Sequence, residues 1–164
     1  MITSKQGDDK MKIGIISDIH GNKDALDVVL KELQAQNVDK IICLGDMISG
    51  ATHSEEVLKT IIELGDKVIA VRGNHEGYIL DGIPEYVHDE KVKVNQNEKD
   101  RIDWIRKNLS KETLEYICNL PKERSFDIEG KKLYLAHYPM QENRIFRKFI
   151  LNADAEEDEE LFSG

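Results

Sequence analysis

The chain of 164 residues has few of the residues that mark secreted, basic or membrane-spanning proteins. With only two cysteines, we expect both thiols, Cys43 and Cys118, to be buried and reduced, with a disulfide or metal role as the alternative. No apolar run approaches the ~18 residues of a membrane span, and the polar N-terminus has no signal-peptide stretch. The net charge of −9 argues against a general binder of nucleic acids or anionic membranes. We therefore predict a cytoplasmic protein.

Apolar patterning in the first half predicts alternating strands and helices. Strands are expected at 11–17, 40–44 and 67–71, and amphipathic helices at 22–37 and after Thr52-His53-Ser54-Glu55, which has the form of a capping box. This β-α-β-α-β order predicts a parallel sheet.

The second half departs from this alternation. Residues 77–124 show two helical patterns, the second capped by Ser110, and are too short for a core of their own. We interpret this stretch as a helical insertion in one domain of residues 11–164, preceded by a disordered leader at 1–10. Residues 125–137 predict a hairpin that turns at Glu129-Gly130.

Metal-binding side chains follow each of the three predicted strands. Asp18 and His20 come after the first, Asp46 after the second, and Asn74 and His75 after the third. Strand alternation would point Asp18 and His20 the same way. A single Asp or His at a strand end is usually a turn residue or a surface imidazole. Recurrence of these types at three carboxyl strand ends, where open α/β sheets bind ligands, favours a divalent metal site.

Other residues around these segments have simpler interpretations. Gly21, Gly45 and Gly73 flank the candidate ligands, where the backbone must turn tightly or approach a ligand. His53 and His88 are predicted to be surface residues; the alternative for His53, in the loop after Asp46, is a place at the rim of the ligand crevice.

The segments Asp18-Ile19-His20-Gly21, Gly45-Asp46, Arg72-Gly73-Asn74-His75-Glu76 and Leu135-Ala136-His137 resemble the signature of the calcineurin-like metallophosphoesterases. The resemblance implies a four-layer α/β/β/α sandwich of two mixed sheets with helices outside. It also implies two divalent metal ions, manganese by preference, with iron, zinc or nickel as alternatives.

The resemblance implies a role for each ligand. Asp18 and His20 would bind the first ion, Asp46 would bridge both ions, and Asn74 and His137 would bind the second. A bridging carboxylate suits two ions about 3.5–4 Å apart, which hold the attacking and leaving oxygens of an in-line displacement.

His75 is expected to act beside the ions and not as a ligand. It would protonate the leaving oxygen or steady the developing charge, with Glu76 or another carboxylate to orient it. Because a metal-bound water loses its proton near neutral pH, no covalent protein nucleophile is needed. The predicted function is hydrolysis of a small phosphorylated substrate, a phosphomonoester or phosphodiester.

Two features depart from the family pattern. No histidine follows His137, so the chain lacks the Gly-His-x-His segment that gives one ligand to each ion. We therefore expect a C-terminally truncated sandwich with weak or partial metal occupancy, reduced activity and an open sheet edge that favours a homo-oligomer. Asp46 is followed by Met47-Ile48-Ser49-Gly50 and not by the arginine-bearing block of serine/threonine phosphoprotein phosphatases, which favours a bacterial-type phosphodiesterase or small phosphatase.

Two other functions compete with this prediction. The first is a catalytically weak remnant that acts as a folding or association module. The second, a nucleotide-binding α/β module without metal, fits poorly because the first βα turn lacks the G-x-G-x-x-G pattern.

Overall fold

The computed structural model describes residues 10–87 and 90–138. The predicted leader at 1–10, apart from Lys10, lies outside these residues, as does His88. All helix and strand bounds below refer to this described part of the chain.

A parallel sheet of three strands in the order β1-β2-β3 forms the centre of the fold. Its strands are β1 (Ile13–Ile16), β2 (Lys40–Cys43) and β3 (Val68–Ala70). The connections are helix α1 (Lys23–Ala35) and helix α2 (Ser54–Glu63), which is followed by one 3-10 turn at Gly65–Lys67. Parallel neighbours need such crossovers, and the predicted α/β class is confirmed.

The two faces of the sheet contact different layers because side chains alternate along a strand. Ile41 and Cys43 of β2 belong to the main core, together with Leu26 of α1 and Leu58 of α2. On the opposite face, apolar side chains form a second, smaller cluster: Ile42, Val71 and Leu135. The sheet is thus covered by helices on one side and by a later strand on the other.

The described residues from Asn74 onward form three helices and two antiparallel strand pairs. They are α3 (Asn74–Asp81), β4 (Tyr86–Val87), β5 (Glu90–Lys91), α4 (Gln96–Asn108), α5 (Lys111–Asn119), β6 (Glu123–Ile128) and β7 (Lys131–Ala136). Strands β6 and β7 pair in antiparallel register and turn at Glu129-Gly130, as predicted. Helix α3 and the β4–β5 pair were not predicted within 77–124. Ile79, Ile102 and Ile117 of the three helices join the main core.

Some local predictions are confirmed and others are wrong. Ser110 caps α5, since its hydroxyl accepts a hydrogen bond from Thr113 N–H at 3.3 Å. The capping box predicted before α2 is absent, because Ser54 Oγ accepts from Ser49 N–H at 3.2 Å and the N-cap residue His53 makes no side-chain capping bond.

The two cysteines differ in exposure. Cys43 is free and 0% exposed, as predicted for a buried strand residue. Cys118 on α5 is also free but exposed, so its predicted burial is wrong. It lies on the outer side of the helix, next to the buried Ile117. Among the described residues, no helix combines the length and apolarity needed to cross a membrane.

Candidate metal centre

Main-chain hydrogen bonds bring the loops after β1 and β2 together. Asp18 N–H donates to Gly45 C=O at 3.1 Å, and His20 N–H donates to Asp46 C=O at 2.9 Å. These bonds continue the pairing of the two strands past their ends. The side chains of Asp18, His20 and Asp46 therefore emerge at one edge of the sheet, as the strand-end argument predicted.

The same three residues have left-handed backbone conformations. Their φ angles are 55° at Asp18, 48° at His20 and 51° at Asp46. Strand alternation therefore does not orient Asp18 and His20, since β1 ends at Ile16 and both lie beyond it. A non-glycine residue in this region costs about 1–2 kcal/mol, and such strain clusters at functional sites.

The Asp46 carboxylate lies at the middle of the site and is 3% exposed. Its Oδ2 is 3.3 Å from His137 Nε2, 3.9 Å from His20 Nε2 and 3.9 Å from His75 Nε2. Its Oδ1 accepts a hydrogen bond from His75 N–H at 2.9 Å. One carboxylate oxygen thus faces three imidazoles.

The ligand atoms form two groups that share Asp46. One group is His20, Asp46 and His75, and the other is Asp18, Asp46 and His137; within each group the ligand atoms lie within 4.8 Å of one another. The predicted ligand pairing differs, because it placed Asp18 with His20 and left His75 out. Asp18 Oδ1 lies 3.6 Å from His20 Nε2, so the two groups adjoin.

Main-chain carbonyls fix the tautomers of two histidines. His20 Nδ1 is 2.8 Å from Ser49 C=O, and His137 Nδ1 is 2.9 Å from Leu44 C=O. A carbonyl can only accept, so each Nδ1 carries the proton and each Nε2 presents its lone pair towards Asp46. Metal-ligating histidines are oriented in this way. His75 Nδ1, in contrast, is buried and has no hydrogen-bond partner among the residues described.

Buried polar atoms without partners test whether the site suits a metal ion. Asn74 Oδ1 and His137 Nε2 are buried and make no hydrogen bond within the described part of the chain. Such an atom costs about 1–3 kcal/mol. His137 Nε2 and Asp46 Oδ2 are two acceptors 3.3 Å apart, an arrangement that needs a cation or a proton between them. Carboxylate, amide and imidazole ligands suit a divalent ion such as manganese or zinc, so these residues fit one.

Electrostatics couple Asp46 to the histidines. Burial by itself would raise the pKa of Asp46, but the His137 ring and the His75 N–H outweigh it and lower this pKa below its ordinary value. Burial would lower the pKa of His137, yet the neighbouring Asp46 carboxylate outweighs it and raises this pKa above its ordinary value. For His75, burial prevails and the pKa is lowered.

Glu76 has a different place from the one proposed for it. It is 0% exposed, and its carboxylate accepts hydrogen bonds from the main-chain N–H groups of Asp46, Met47 and Gly73 at 2.7–2.9 Å. Burial raises the pKa of Glu76 and the Asp46 charge adds to this, while the N–H donors oppose it. Glu76 therefore does not orient His75. The sequence contains a signal for one of these bonds. Glu76 lies three residues after the N-cap residue Gly73, the spacing at which a glutamate accepts a hydrogen bond from the N-cap N–H.

Two glycines allow the loops to meet at Asp46. Gly45 has φ 100°, and a Cβ there would overlap the main chain of Gly73. Gly73 has an ordinary φ of −86°, but a Cβ there would overlap the Asp46 carboxylate. A glycine is thus needed at position 45 both for its positive φ and for the close approach of the two loops. At position 73 it is needed for the close approach alone.

The fold and this centre define an α/β scaffold with a candidate metal site, and comparison with known proteins assigns the family. Residues 11–164 match the model of the calcineurin-like phosphoesterase superfamily domain. The chain belongs to this family. His53, predicted to lie at the surface, is exposed and belongs to neither ligand group.

The chain is also similar to individual proteins over part of its length. The chain is 30% identical over 128 residues to the uncharacterized protein MJ0912 of Methanocaldococcus jannaschii, a match that covers 78% of this chain and 49% of that protein. It is 38% identical over 71 residues to a symmetrical bis(5'-nucleosyl)-tetraphosphatase of Sodalis glossinidius, covering 43% of this chain and 25% of the relative. The chain thus spans half or less of the length of these curated relatives.

Solved structures share the fold. The hypothetical protein PH1004 of Pyrococcus horikoshii aligns with a TM-score of 0.73 at 20% identity, over 91% of this chain and 63% of that one. A metallophosphoesterase of Sphaerobacter thermophilus aligns with a TM-score of 0.56 at 29% identity, over 72% of this chain and 44% of that one.

Proposed function

We propose that this chain hydrolyses phosphate esters of small substrates with two divalent metal ions. The observation that carries the proposal is the sharing of Asp46 by two groups of ligand atoms, because a carboxylate common to two groups suits a pair of ions. Family membership supports the same chemistry.

Five side chains would hold the ions: Asp18, His20, Asp46, Asn74 and His137. When bound, the ions would supply Lewis acidity and lower the pKa of bound water. The fixed tautomers of His20 and His137 support their assignment as ligands. Manganese is the preferred ion, with iron, zinc or nickel as alternatives, and weak occupancy remains a prediction.

His75 is proposed to serve the leaving group. Hydrolysis adds water across a P–O bond: the phosphorus gains the hydroxyl, and the leaving oxygen gains a proton. Within the described part of the chain, His75 Nδ1 has no carbonyl partner of the kind that orients the other two imidazoles, which supports a role for His75 beside the ions. Its Nε2 lies 3.9 Å from Asp46 Oδ2, close enough to meet a substrate held at the centre.

The names of relatives suggest one further candidate substrate. Several are bis(5'-nucleosyl)-tetraphosphatases, matched over less than half of this chain. A bis(5'-nucleosyl) tetraphosphate therefore belongs in a substrate panel beside simple phosphomonoesters and phosphodiesters.

The test is hydrolysis of p-nitrophenyl phosphate, bis(p-nitrophenyl) phosphate and diadenosine tetraphosphate with added Mn²⁺. We expect metal-stimulated turnover that falls to background in Asp46→Asn. His75→Ala should lose about 10²–10⁴-fold in kcat while still binding Mn²⁺. His53→Ala, an exposed histidine outside both ligand groups, is the matched control and should retain the wild-type rate.

Two results would contradict the proposal. Equal rates in wild type and Asp46→Asn would identify a contaminating phosphatase. Mn²⁺ binding without turnover of any substrate would favour the alternative function, a catalytically weak module for folding or association. If His75→Ala instead lost Mn²⁺ binding, His75 would be a ligand, as the His20, Asp46 and His75 group allows.

A further inference from the structure

Glu76 is a buried carboxylate that none of the proposed catalytic or metal-binding roles uses. Each of its oxygens accepts from the main chain: Oε2 from Asp46 N–H at 2.9 Å and Gly73 N–H at 2.8 Å, and Oε1 from Met47 N–H at 2.7 Å and Ile48 N–H at 3.4 Å. Its donors among the described residues are all main-chain N–H groups, and a side chain with 0% exposure that makes such bonds acts on backbone conformation.

These bonds join two segments that are far apart in sequence. Asp46 lies in the loop after β2, and Glu76 lies 30 residues later in the first turn of α3. Two further bonds act on Asp46 itself: its C=O accepts from His20 N–H, and its Oδ1 accepts from His75 N–H. The N–H, C=O and Oδ1 of Asp46 all have fixed partners, so Oδ2 is directed at the imidazoles.

Asp46 needs such restraint because its backbone is strained. Its φ of 51° is in the left-handed region, as is that of Ser49 at 66° in the same turn. Strained conformations of this kind persist only where the surroundings over-determine them. The Glu76 carboxylate, by accepting three successive N–H groups of the turn, provides this restraint from within the protein.

We propose that Glu76 is a positioning residue for the metal centre, which holds the 45–48 turn so that Asp46 Oδ2 faces both ligand groups. This proposal rests on the proposed function, because the turn matters only if Asp46 binds metal. Glu76 belongs to neither ligand group and acts through Asp46.

Only a glutamate fits this position. A carboxylate accepts on both oxygens, whereas glutamine would turn an NH₂ group towards main-chain N–H donors. Aspartate is one methylene shorter, by about 1.5 Å, and could not keep all four bonds. Glu76→Gln therefore changes the hydrogen bonding at constant shape and is the informative variant.

The experiment is a calorimetric titration of Mn²⁺ into wild type, Glu76→Gln and Glu55→Gln at neutral pH. Glu55 is the matched control, since it accepts a hydrogen bond from Ser110 N–H at 3.1 Å and joins α2 to α5 away from the centre. We expect Mn²⁺ affinity to fall about 10–100-fold in Glu76→Gln, as for other groups that orient metal ligands, and to be unchanged in Glu55→Gln. Wild-type affinity in folded Glu76→Gln, or an equal loss in Glu55→Gln, would overturn the proposal.

A second measurement needs neither metal nor a variant. In the metal-free wild type, the amides of Asp46 and Met47 should exchange with solvent as slowly as those of β2, because Glu76 holds them. Exchange as fast as at the exposed Gly50 would overturn the proposal. If the wild type bound no Mn²⁺ while these amides stayed protected, the proposed function would fail and the restraint of the turn by Glu76 would stand.

Discussion

At the scale of single residues, Gly73 has little freedom to change. Its main chain lies against the Asp46 carboxylate and Gly45, and its own N–H bonds Glu76. Gly77, one turn further along α3, has open space around it. The two glycines share one helix region but differ in surroundings, which makes them a matched pair.

We expect Gly73→Ala to lose Mn²⁺ binding, since the new methyl group would displace the Asp46 carboxylate. Gly77→Ala should keep Mn²⁺ binding and raise the free energy of unfolding by about 0.5–1 kcal/mol, because alanine favours a helix. Calorimetric titration and urea unfolding measure both. Equal Mn²⁺ affinity in the two variants would contradict the close approach at Gly73.

Residue types could be read from the sequence more easily than conformations. The positions of Asp18, His20 and Asp46 after apolar strands follow from strand-end logic. Their left-handed φ angles do not, because they arise from hydrogen bonds between two loops. The role of Glu76 was missed for the same reason: most of its partners lie about 30 residues away.

At the scale of elements, Glu55 links α2 to the start of α5. Its Oε2 accepts from Thr113 Oγ1 at 2.7 Å and Ser110 N–H at 3.1 Å, and its Oε1 lies 3.0 Å from Lys59 Nζ. Burial would raise the pKa of Glu55, but the bonds from Thr113, Ser110 and Lys59 outweigh it and lower this pKa to about 2.

This shift predicts pH-dependent stability. The folded state prefers the ionised carboxylate, so its contribution is complete above the ordinary pKa near 4.5 and is lost as pH falls towards about 2. Glu55→Gln should therefore lower the free energy of unfolding by about 1–2 kcal/mol at pH 7, and this deficit should shrink below pH 4.5.

Urea unfolding at several pH values measures this dependence. Glu63→Gln, an exposed position in the same helix, should change the free energy of unfolding by less than about 0.5 kcal/mol. A Glu55→Gln deficit that is the same at pH 7 and below pH 4.5 would contradict the contribution of the ionised group.

Helices and strands with a clear apolar or turn pattern could be predicted from the sequence, whereas the short helix α3 and the short β4–β5 pair could not. Apolar spacing located α1, and the turn Glu129-Gly130 located the β6–β7 hairpin. Helix α3 was missed because its first residues, Asn74 and His75, were interpreted only as metal-site residues. Its eight residues carry a weak apolar stripe, and tertiary packing of Ile79 stabilises them.

At the scale of the whole molecule, four segments of the chain meet at the candidate metal centre. Ligand positions come from the ends of β1 and β2, the start of α3 and the end of β7. An ion that binds these segments binds only the folded chain, so it should stabilise the fold by linkage.

We expect Mn²⁺ at a hundredfold excess over Kd to raise the free energy of unfolding by about 2.7 kcal/mol per ion. For a chain of this size, Tm should rise by about 5–10 °C. Differential scanning calorimetry with and without EDTA measures this change in Tm. Asp46→Asn is the control, in which no change in Tm is expected. If Mn²⁺ bound but left Tm unchanged, the ions would not be held by the segments that come together in the folded chain.

Class and family could be predicted from the sequence, but assembly could not. The α/β class and the phosphoesterase family follow from patterns within short segments and are confirmed. The division of domains, the homo-oligomer and the cytoplasmic location remain predictions. An oligomer depends on surface complementarity, which a single sequence does not encode locally. Ile15, 65% exposed on β1, is one apolar side chain that such contacts would cover.

The two cysteines should differ in their reactivity towards thiol reagents. Burial raises the pKa of the Cys43 thiol to about 12, so at neutral pH this sulfur forms almost no thiolate and does not react with alkylating reagents. Cys118 is exposed on α5 and is the other cysteine of the sequence. A maleimide dye added to the native protein should therefore attach at a single place, on a helix that contributes no metal ligand, and leave the chemistry of the centre undisturbed.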